Sequence, residues 1–320
     1  MYMHLQTGRG VAAWVSGALC ALSVACGGTV DTPPDPSSPP GASSGGASSG
    51  GAGASSSGGA SSSGGTSSGG SSGAVETGPF VEIWMRGSKT PVSHADGFSG
   101  QTPLGETVAV KKLELLRSEG DPAPLLVFDL GGAPAEADLT SGVAAQLAKV
   151  PARSLTRGTY RWARVALSYV RYSVAATMHS GVMAPVPGQY DNVQALSDGA
   201  PIDGVARKKG FYRYSFVVGG VTYGTLEGAD APVPAVATSG GIRMDASGPE
   251  TFYVFPVTLI VDPDVKRDVR VDFDANVFES FRWADAPTAG YAAGVFDTTP
   301  STFETVMAFG ASAFDLRVTP

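Results

Sequence analysis

The run DVRVDFDANV, residues 268–277, decides the fold. Val269, Val271, Phe273, Ala275 and Val277 alternate with Asp268, Arg270, Asp272, Asp274 and Asn276, so an extended chain carries one apolar and one wet face. That period of two predicts a half-buried antiparallel strand. Upstream, Phe211–Val218 and Val221–Leu226 flank Gly219-Gly220, and two glycines between aromatic and β-branched runs permit the positive φ of a primed turn, which predicts a hairpin. Strands are likewise expected at Phe80–Arg86, Thr107–Arg117, Leu125–Leu130, Thr159–Ala176, Thr251–Val261, Glu279–Trp283, Tyr291–Phe296, Phe303–Phe309 and Ala313–Val318. In Thr107–Arg117 the apolar parity switches between Val110 and Leu113, which predicts a bulge near Lys111-Lys112. Pro256 cannot donate to a ladder, so Thr251–Val261 is expected at an edge or broken there. Only Ala137–Val150 looks helical. About eleven strands with short connections and no βα alternation predict an all-β, antiparallel β-sandwich, either one unit or two stacked subdomains dividing near residues 185–205.

The folded part is shorter than the 320-residue chain. After Trp14 no aromatic residue appears until Phe80, whereas every later segment carries them, so the globular region is expected at 79–320. That length can bury a sizeable core as one all-β unit. Its only cysteines, Cys20 and Cys26, precede this region, which therefore holds no disulfide, thiolate metal site or cysteine nucleophile. Removal of residues 1–25 takes away Arg9 and no acid, leaving 21 basic against 29 acidic residues. With no basic cluster longer than Arg207-Lys208-Lys209, nucleic acid is not an expected partner.

The amino terminus reads as an address. Residues 1–10 carry Arg9 and no acid, and Val11–Ala25 is an apolar run. A helix of about 15 residues rises only about 22 Å, short of the roughly 30 Å hydrocarbon layer, which suits a cleaved signal peptide at 1–25. Leu22-Ser23-Val24-Ala25-Cys26, followed by Gly27-Gly28, resembles the lipobox of bacterial lipoproteins, with Ser23 where that family usually has an aliphatic residue. The resemblance implies diacylglyceryl transfer to the Cys26 sulfur, cleavage before Cys26, acylation of the new amino group and partnership with a membrane through those acyl chains. Gly27 is not the Asp that marks inner-membrane retention in enteric lipoproteins, so the resemblance points to the outer membrane of the cell envelope. Between Cys26 and Gly78 the chain is first Pro-rich and then, from Gly41 to Ala74, only Gly, Ala, Ser and Thr. Nothing there offsets the roughly 1–2 kcal/mol per residue of backbone entropy, so 26–78 is expected to be a disordered tether. Its root-mean-square span is roughly 40 Å.

Gly158-Thr159-Tyr160, Ser239-Gly240-Gly241-Ile242 and Val271-Asp272-Phe273-Asp274-Ala275 resemble an uncharacterised family of bacterial lipoprotein β-sandwich domains, loosely transthyretin-like. The resemblance spans roughly residues 108–280, with Met178–Gly210 as an insertion, and implies no activity. Asp262, Asp264, Asp272 and Asp274 form a local crowd of carboxylates that would suit calcium, against the plainer reading of solvated acids paired with Arg270 or Lys266. Among the aromatics, Trp84, Trp162, Tyr169, Tyr172, Tyr212, Tyr214 and Trp283 are candidates for a platform that stacks on sugar rings, although a sandwich needs most of its aromatics for packing. His94 and His179 have no neighbour with ligand spacing and read as turn or surface residues, and Asp129 reads as a strand end. No motif asks for a cofactor. The sequence thus describes a membrane-anchored envelope lipoprotein with a non-catalytic binding or structural β domain, whose partner would be a glycan or an envelope protein. The enzyme alternative is a glycan-directed hydrolase using paired carboxylates. Cys26→Ser is expected to abolish incorporation of a clickable palmitate analogue and release the protein from membranes; unchanged labelling and partitioning would remove the anchor.

Overall fold

The computed structural model describes residues 78–181, 183–231 and 242–319, and its architecture is almost wholly β. The expected signal peptide, Cys26, the expected tether up to residue 77 and Ser239-Gly240-Gly241 lie outside the described residues. One long strand, β7 (Gly158–Met178), organises the larger sheet. Its alternation of Tyr, Trp, Val and Ala with Arg and Ser suits a strand that is covered on one face throughout and on the other in part. For this strand the earlier elements are β1 (Phe80–Ser88), β2 (Ser99–Gln101), β3 (Gly105–Leu116), β4 (Leu125–Asp129), β5 (Ala135–Asp138) and β6 (Ala145–Pro151). After it come β8 (Val186–Ala195), β9 (Ala200–Ile202), β10 (Val205–Arg207), β11 (Tyr212–Val218), β12 (Val221–Gly228), β13 (Arg243–Asp245) and β14 (Thr251–Val261). The chain ends with β15 (Val269–Asn276), β16 (Phe281–Ala284), β17 (Asp297–Thr298), β18 (Thr305–Ala308) and β19 (Ala313–Thr319).

Along one edge β7 pairs antiparallel with β3 over Trp162–Ser173. Along the other it pairs first with β14, over Gly158–Leu167, and then with β8, over Tyr169–Met178. The change of partner falls at Ser168, whose carbonyl accepts the Leu196 N–H at 2.8 Å and the Ser197 N–H at 3.1 Å. The Ser197 hydroxyl closes the junction by donating to the Leu167 carbonyl at 2.6 Å. The Leu196 and Ser197 N–H groups and the Leu167 and Ser168 carbonyls are thereby paired inside the protein, where an orphan would cost about 1–3 kcal/mol. Beyond the junction the sheet continues through β8 to β11 and the edge strand β12.

The second layer is the four-stranded sheet β19-β15-β1-β6. Phe273 of β15 meets Phe255 of β14 edge-on at 6.0 Å, and Phe255 stacks on Phe314 of β19 at 5.1 Å, so aromatic rings from both sheets lock the layers together. Complete burial of a side chain the size of Phe273 stabilises the fold by about 2–3 kcal/mol. A small sheet, β18-β16-β2, closes one end. On the outer face of the large sheet the β9–β10 hairpin carries Ala200 and Ile202 onto Tyr169, Val193 and Phe211, a second and smaller core.

Several expectations change on contact with this architecture. β15 is antiparallel to β19 but parallel to β1, and its wet face is only half wet. Arg270 and Asp272 are partly exposed, whereas Asp274 is 6% and Asn276 7% accessible, because Arg86, Arg317, Thr90 and Ser312 cover them. Ala137–Val150 contains no helix: β5 ends at Asp138, whose carboxylate accepts the Thr140 and Ser141 N–H groups to turn the chain into β6. Such a local side-chain turn outcompetes a helix. Tyr291–Phe296 is not a strand but a pair of turns around Gly290 and Gly294, and only Asp297–Thr298 pairs, in parallel, with β7. Residues 185–205 do not divide the region, because β8 is hydrogen-bonded on both sides within the large sheet. The bulge does fall at Lys111, where the β3–β7 register shifts, and the β14–β7 ladder shifts just after Pro256. Gly219 and Gly220 both adopt positive φ, 58° and 82°, as the hairpin turn requires.

Gly87 lets β1 run close against Leu139, since a Cβ there would lie 1.6 Å from the Leu139 carbonyl oxygen. Gly87→Ala is expected to cost about 3 kcal/mol or more, read as a lower denaturation midpoint in urea.

Candidate functional site

Beyond the Ser168 junction the inner face of the large sheet turns away from the four-stranded layer and meets the segment from β16 to β18 instead. Strand pairing sets the side chains of this face in rows. One row runs Glu106, Tyr172, Asn192, Tyr214, Leu226; the next runs Val170, Gln194, Tyr212, Gly228; a third runs Val174, Tyr190, Phe216, Gly224. Gly228 is needed at its place because a Cβ there would strike the Tyr212 ring at 2.4 Å. The face thus presents Tyr and Phe rings interspersed with two side-chain amides.

Two adjoining cavities lie over these rows. One, of about 380 Å³, is walled by Tyr172, Tyr212, Tyr214 and Gln194 on the sheet side and by Phe281, Phe296 and Phe309 opposite. The other, of about 440 Å³, runs outward over Phe216, Tyr223 and Leu226 beneath residues 299–302, with Met178 and Met183 at its end. Tyr190, Tyr214 and Phe303 border both, so the two are lobes of one cleft. Phe303 stands edge-on to Tyr214 at 5.5 Å, and Tyr214 leans on Tyr212 at 4.7 Å. Tyr223, 70% accessible, flanks the open end. Each lobe falls within the usual 300–1,000 Å³ of small-molecule sites.

Buried polar groups hold the roof of the cleft in place. Asp297 accepts from His179 at 2.7 Å and from the Ala292 N–H at 2.7 Å, while His179 packs against the Tyr291 ring at 4.7 Å. Glu304 accepts the Ala286 N–H at 2.7 Å with one oxygen and the Asp297 N–H at 2.8 Å with the other. Burial raises the Glu304 carboxyl above its usual range, and the two N–H groups oppose that shift without cancelling it. Both oxygens of this cleft carboxylate are therefore engaged by backbone. Tyr214 donates to Gln194 at a long 3.5 Å, and burial pushes its hydroxyl pKa up, as it does for Tyr172 and Tyr190. The cleft can accordingly stack flat apolar surfaces and hydrogen-bond their edges.

Of the expected platform, the structure brings Tyr212, Tyr214 and Tyr172 together and scatters the rest. Trp283 is 1% accessible and packs with Phe281 and Phe296 in the core. Trp84 lies under the Arg270 guanidinium at 4.3 Å on the four-stranded sheet, Trp162 sits opposite Pro256 near the start of β7, and Tyr169 belongs to the outer core. The candidate calcium ligands do not converge, and the plainer reading of acids paired with basic neighbours fits Asp272 with Arg270. Asp262 and Asp264 pair with Arg157, Asp272 with Arg270, and Asp274 with Arg86 and Arg317. Among the described residues no group of three or more acidic, His or Cys side chains is placed to hold a metal ion. His179 is not a free surface residue but part of the roof, and Asp129 turns the chain through the Gly131 N–H at 2.9 Å. Tyr190, Asn192, Gln194 and Phe303 escape the sequence reading; the alternation Tyr190, Asn192, Gln194 beside Tyr212, Tyr214, Phe216 is the signal that could have found them.

No family model, curated protein or solved structure matches the chain.

Beneath the roof, Arg282 of β16 is buried and reaches Asp96 and the Phe98 carbonyl. Burial pushes the Asp96 carboxyl up, but the Arg282 guanidinium and the Phe98 N–H outweigh it and hold its pKa below the usual value. A depressed folded pKa contributes stability above the unfolded value of about 3.9 that is lost as pH falls through the folded one. Asp96→Asn should therefore flatten the acid limb of stability below about pH 4. Asp96→Ala should cost about 3 kcal/mol at neutral pH by leaving a buried guanidinium short of its partner, both read from denaturation midpoints.

Proposed function

We propose that this chain is a non-catalytic binding protein of the bacterial cell envelope, held at the outer membrane by acyl chains on Cys26 and presenting its cleft at the end of the tether. The observation that carries the binding role is the two-lobed cleft, whose sheet side alternates Tyr and Phe rings with Asn192 and Gln194. Rings that stack on flat CH faces, beside the Asn192 amide, match the chemistry of a glycan chain, and two lobes in line suit an extended one. The engagement of both Glu304 oxygens by backbone N–H groups favours binding over acid catalysis at this site. Stability of the anchor follows from arithmetic: each buried methylene contributes about 0.8 kcal/mol, and two or more acyl chains hold a protein on a membrane.

The full-length lipoprotein in detergent, screened against envelope and extracellular glycans, should bind one class without turnover. Tyr214→Ala and Phe303→Ala should each weaken binding about tenfold, equivalent to about 1.4 kcal/mol, while Trp84→Ala leaves it unchanged. Hydrolysis of a bound glycan would replace the binding role with the paired-carboxylate one, and wild-type protein that binds no glycan would remove this ligand class.

A further inference from the structure

Glu106 is the most unusual side chain of the domain. It occupies an inward position of β3, 2% accessible, and neither carboxylate oxygen has a hydrogen-bond partner. Its main chain is fixed on both edges: it pairs with Tyr172 of β7 on one, and on the other its carbonyl accepts the Leu139 N–H at 2.8 Å. The side chain therefore cannot swing out to water without disturbing a strand. The groups that face it are Tyr172 from β7, Tyr253 from β14 and Ser280 from the connection between β15 and β16; no basic side chain acts on it among the described residues. The Ser280 hydroxyl also lacks a hydrogen bond. An unpaired carboxylate in such surroundings would cost far more than the neutral acid.

Position makes this matter. Glu106 is the buried end of the row that continues through Tyr172, Asn192 and Tyr214 along the cleft floor. Tyr172, directly across the ladder from it, stacks on Phe309 at 5.3 Å and tilts against Phe281 at 5.6 Å, and these three rings wall the inner lobe. Whatever displaces Glu106 displaces that wall.

We propose that Glu106 is a pH-sensitive post under the cleft, housed as the neutral acid, whose loss of a proton to bulk water forces the carboxylate toward solvent and loosens Tyr172 and the ring wall above it. Burial pushes its carboxyl up to about 8, with the Ser280 hydroxyl opposing that shift, so the window lies near neutrality. The sign follows from linkage. Between the unfolded value of about 4.3 and the folded one, the unfolded chain has released this proton and the native state keeps it, so rising pH removes stability. Above the folded value the contribution is constant. The inference does not depend on what the cleft binds.

The test compares the full chain with Glu106→Gln and Glu106→Leu, following thermal midpoint and the near-ultraviolet dichroism of the tyrosines between about pH 5 and pH 9, below the range in which tyrosines themselves ionise. The variants should match or exceed wild type near pH 5 and surpass it increasingly up to about pH 8, by on the order of 5–10 °C. Wild type alone should lose tyrosine dichroism across that window. Parallel midpoint and dichroism profiles for all three proteins would overturn the proposal. So would failure of both variants to fold, because a neutral replacement at an unpaired acid predicts no loss of stability. Neither measurement uses a ligand, so a cleft that binds no glycan leaves this result standing, and the reverse also holds.

Discussion

The architecture depends on a single change of partner. β7 is too long for any one neighbour to cover, and at Ser168 its edge passes from β14 to β8. Two N–H groups converging on the Ser168 carbonyl, with the Ser197 hydroxyl on that of Leu167, tie the chain after β8 to β7 where its partner changes. On one side of this junction the large sheet is covered by the four-stranded layer and its Phe255, Phe273 and Phe314 rings. On the other it faces the segment from β16 to β18, whose sheet has only short strands. The cleft exists because the sheet runs past its own partner.

That overhang sets a problem of coverage, and the chain meets it with an irregular segment. The roof's own strands are only two to four residues long, so their ladders satisfy little of its backbone and side chains take over. Asp297 and Glu304 each accept backbone N–H groups, and His179 ties the assembly to the end of β7. The mixed floor of Tyr, Asn and Gln serves the same balance, because a floor made only of Leu and Val would draw the roof down and close the space. Tyr and amide side chains can remain next to water or a polar ligand while still burying most of their carbon surface.

Legibility in the sequence tracks how local the governing physics is. β15, the β11–β12 hairpin and the Lys111 bulge could be read because a period of two, a Gly-Gly turn and a parity switch all lie within a few residues. β8 could not, because Tyr190, Asn192 and Gln194 face inward and polar inward residues erase the apolar period. β5, four residues of Ala, Glu and Asp, has too little hydrophobic content to register, and a weak helical pattern filled the gap. The parallel pairing of β15 with β1 joins residues 188 positions apart, as in Arg86 with Asp274, and His179 with Asp297 spans 118. No window of sequence contains such pairs. Platform residues failed for a related reason: aromatic identity is legible, but whether Trp283 faces water or Phe296 is a matter of packing.

Four acids are buried among the described residues, and the contrast among them explains why one stands apart. Asp274 sits between two guanidinium groups, Asp297 meets an imidazole and a backbone N–H, and Glu304 meets two backbone N–H groups. In each, charge or dipoles offset the loss of water, and the carboxylate doubles as a cross-link between distant segments. Only the Ser280 hydroxyl acts against the burial of Glu106, with no charge or backbone N–H beside it. Its place in the alternation with Val108 and Val110 would be filled by an aliphatic residue if packing alone decided, at a gain in stability. A neutral acid held there against that gain concentrates a proton-dependent cost in the row that floors the cleft.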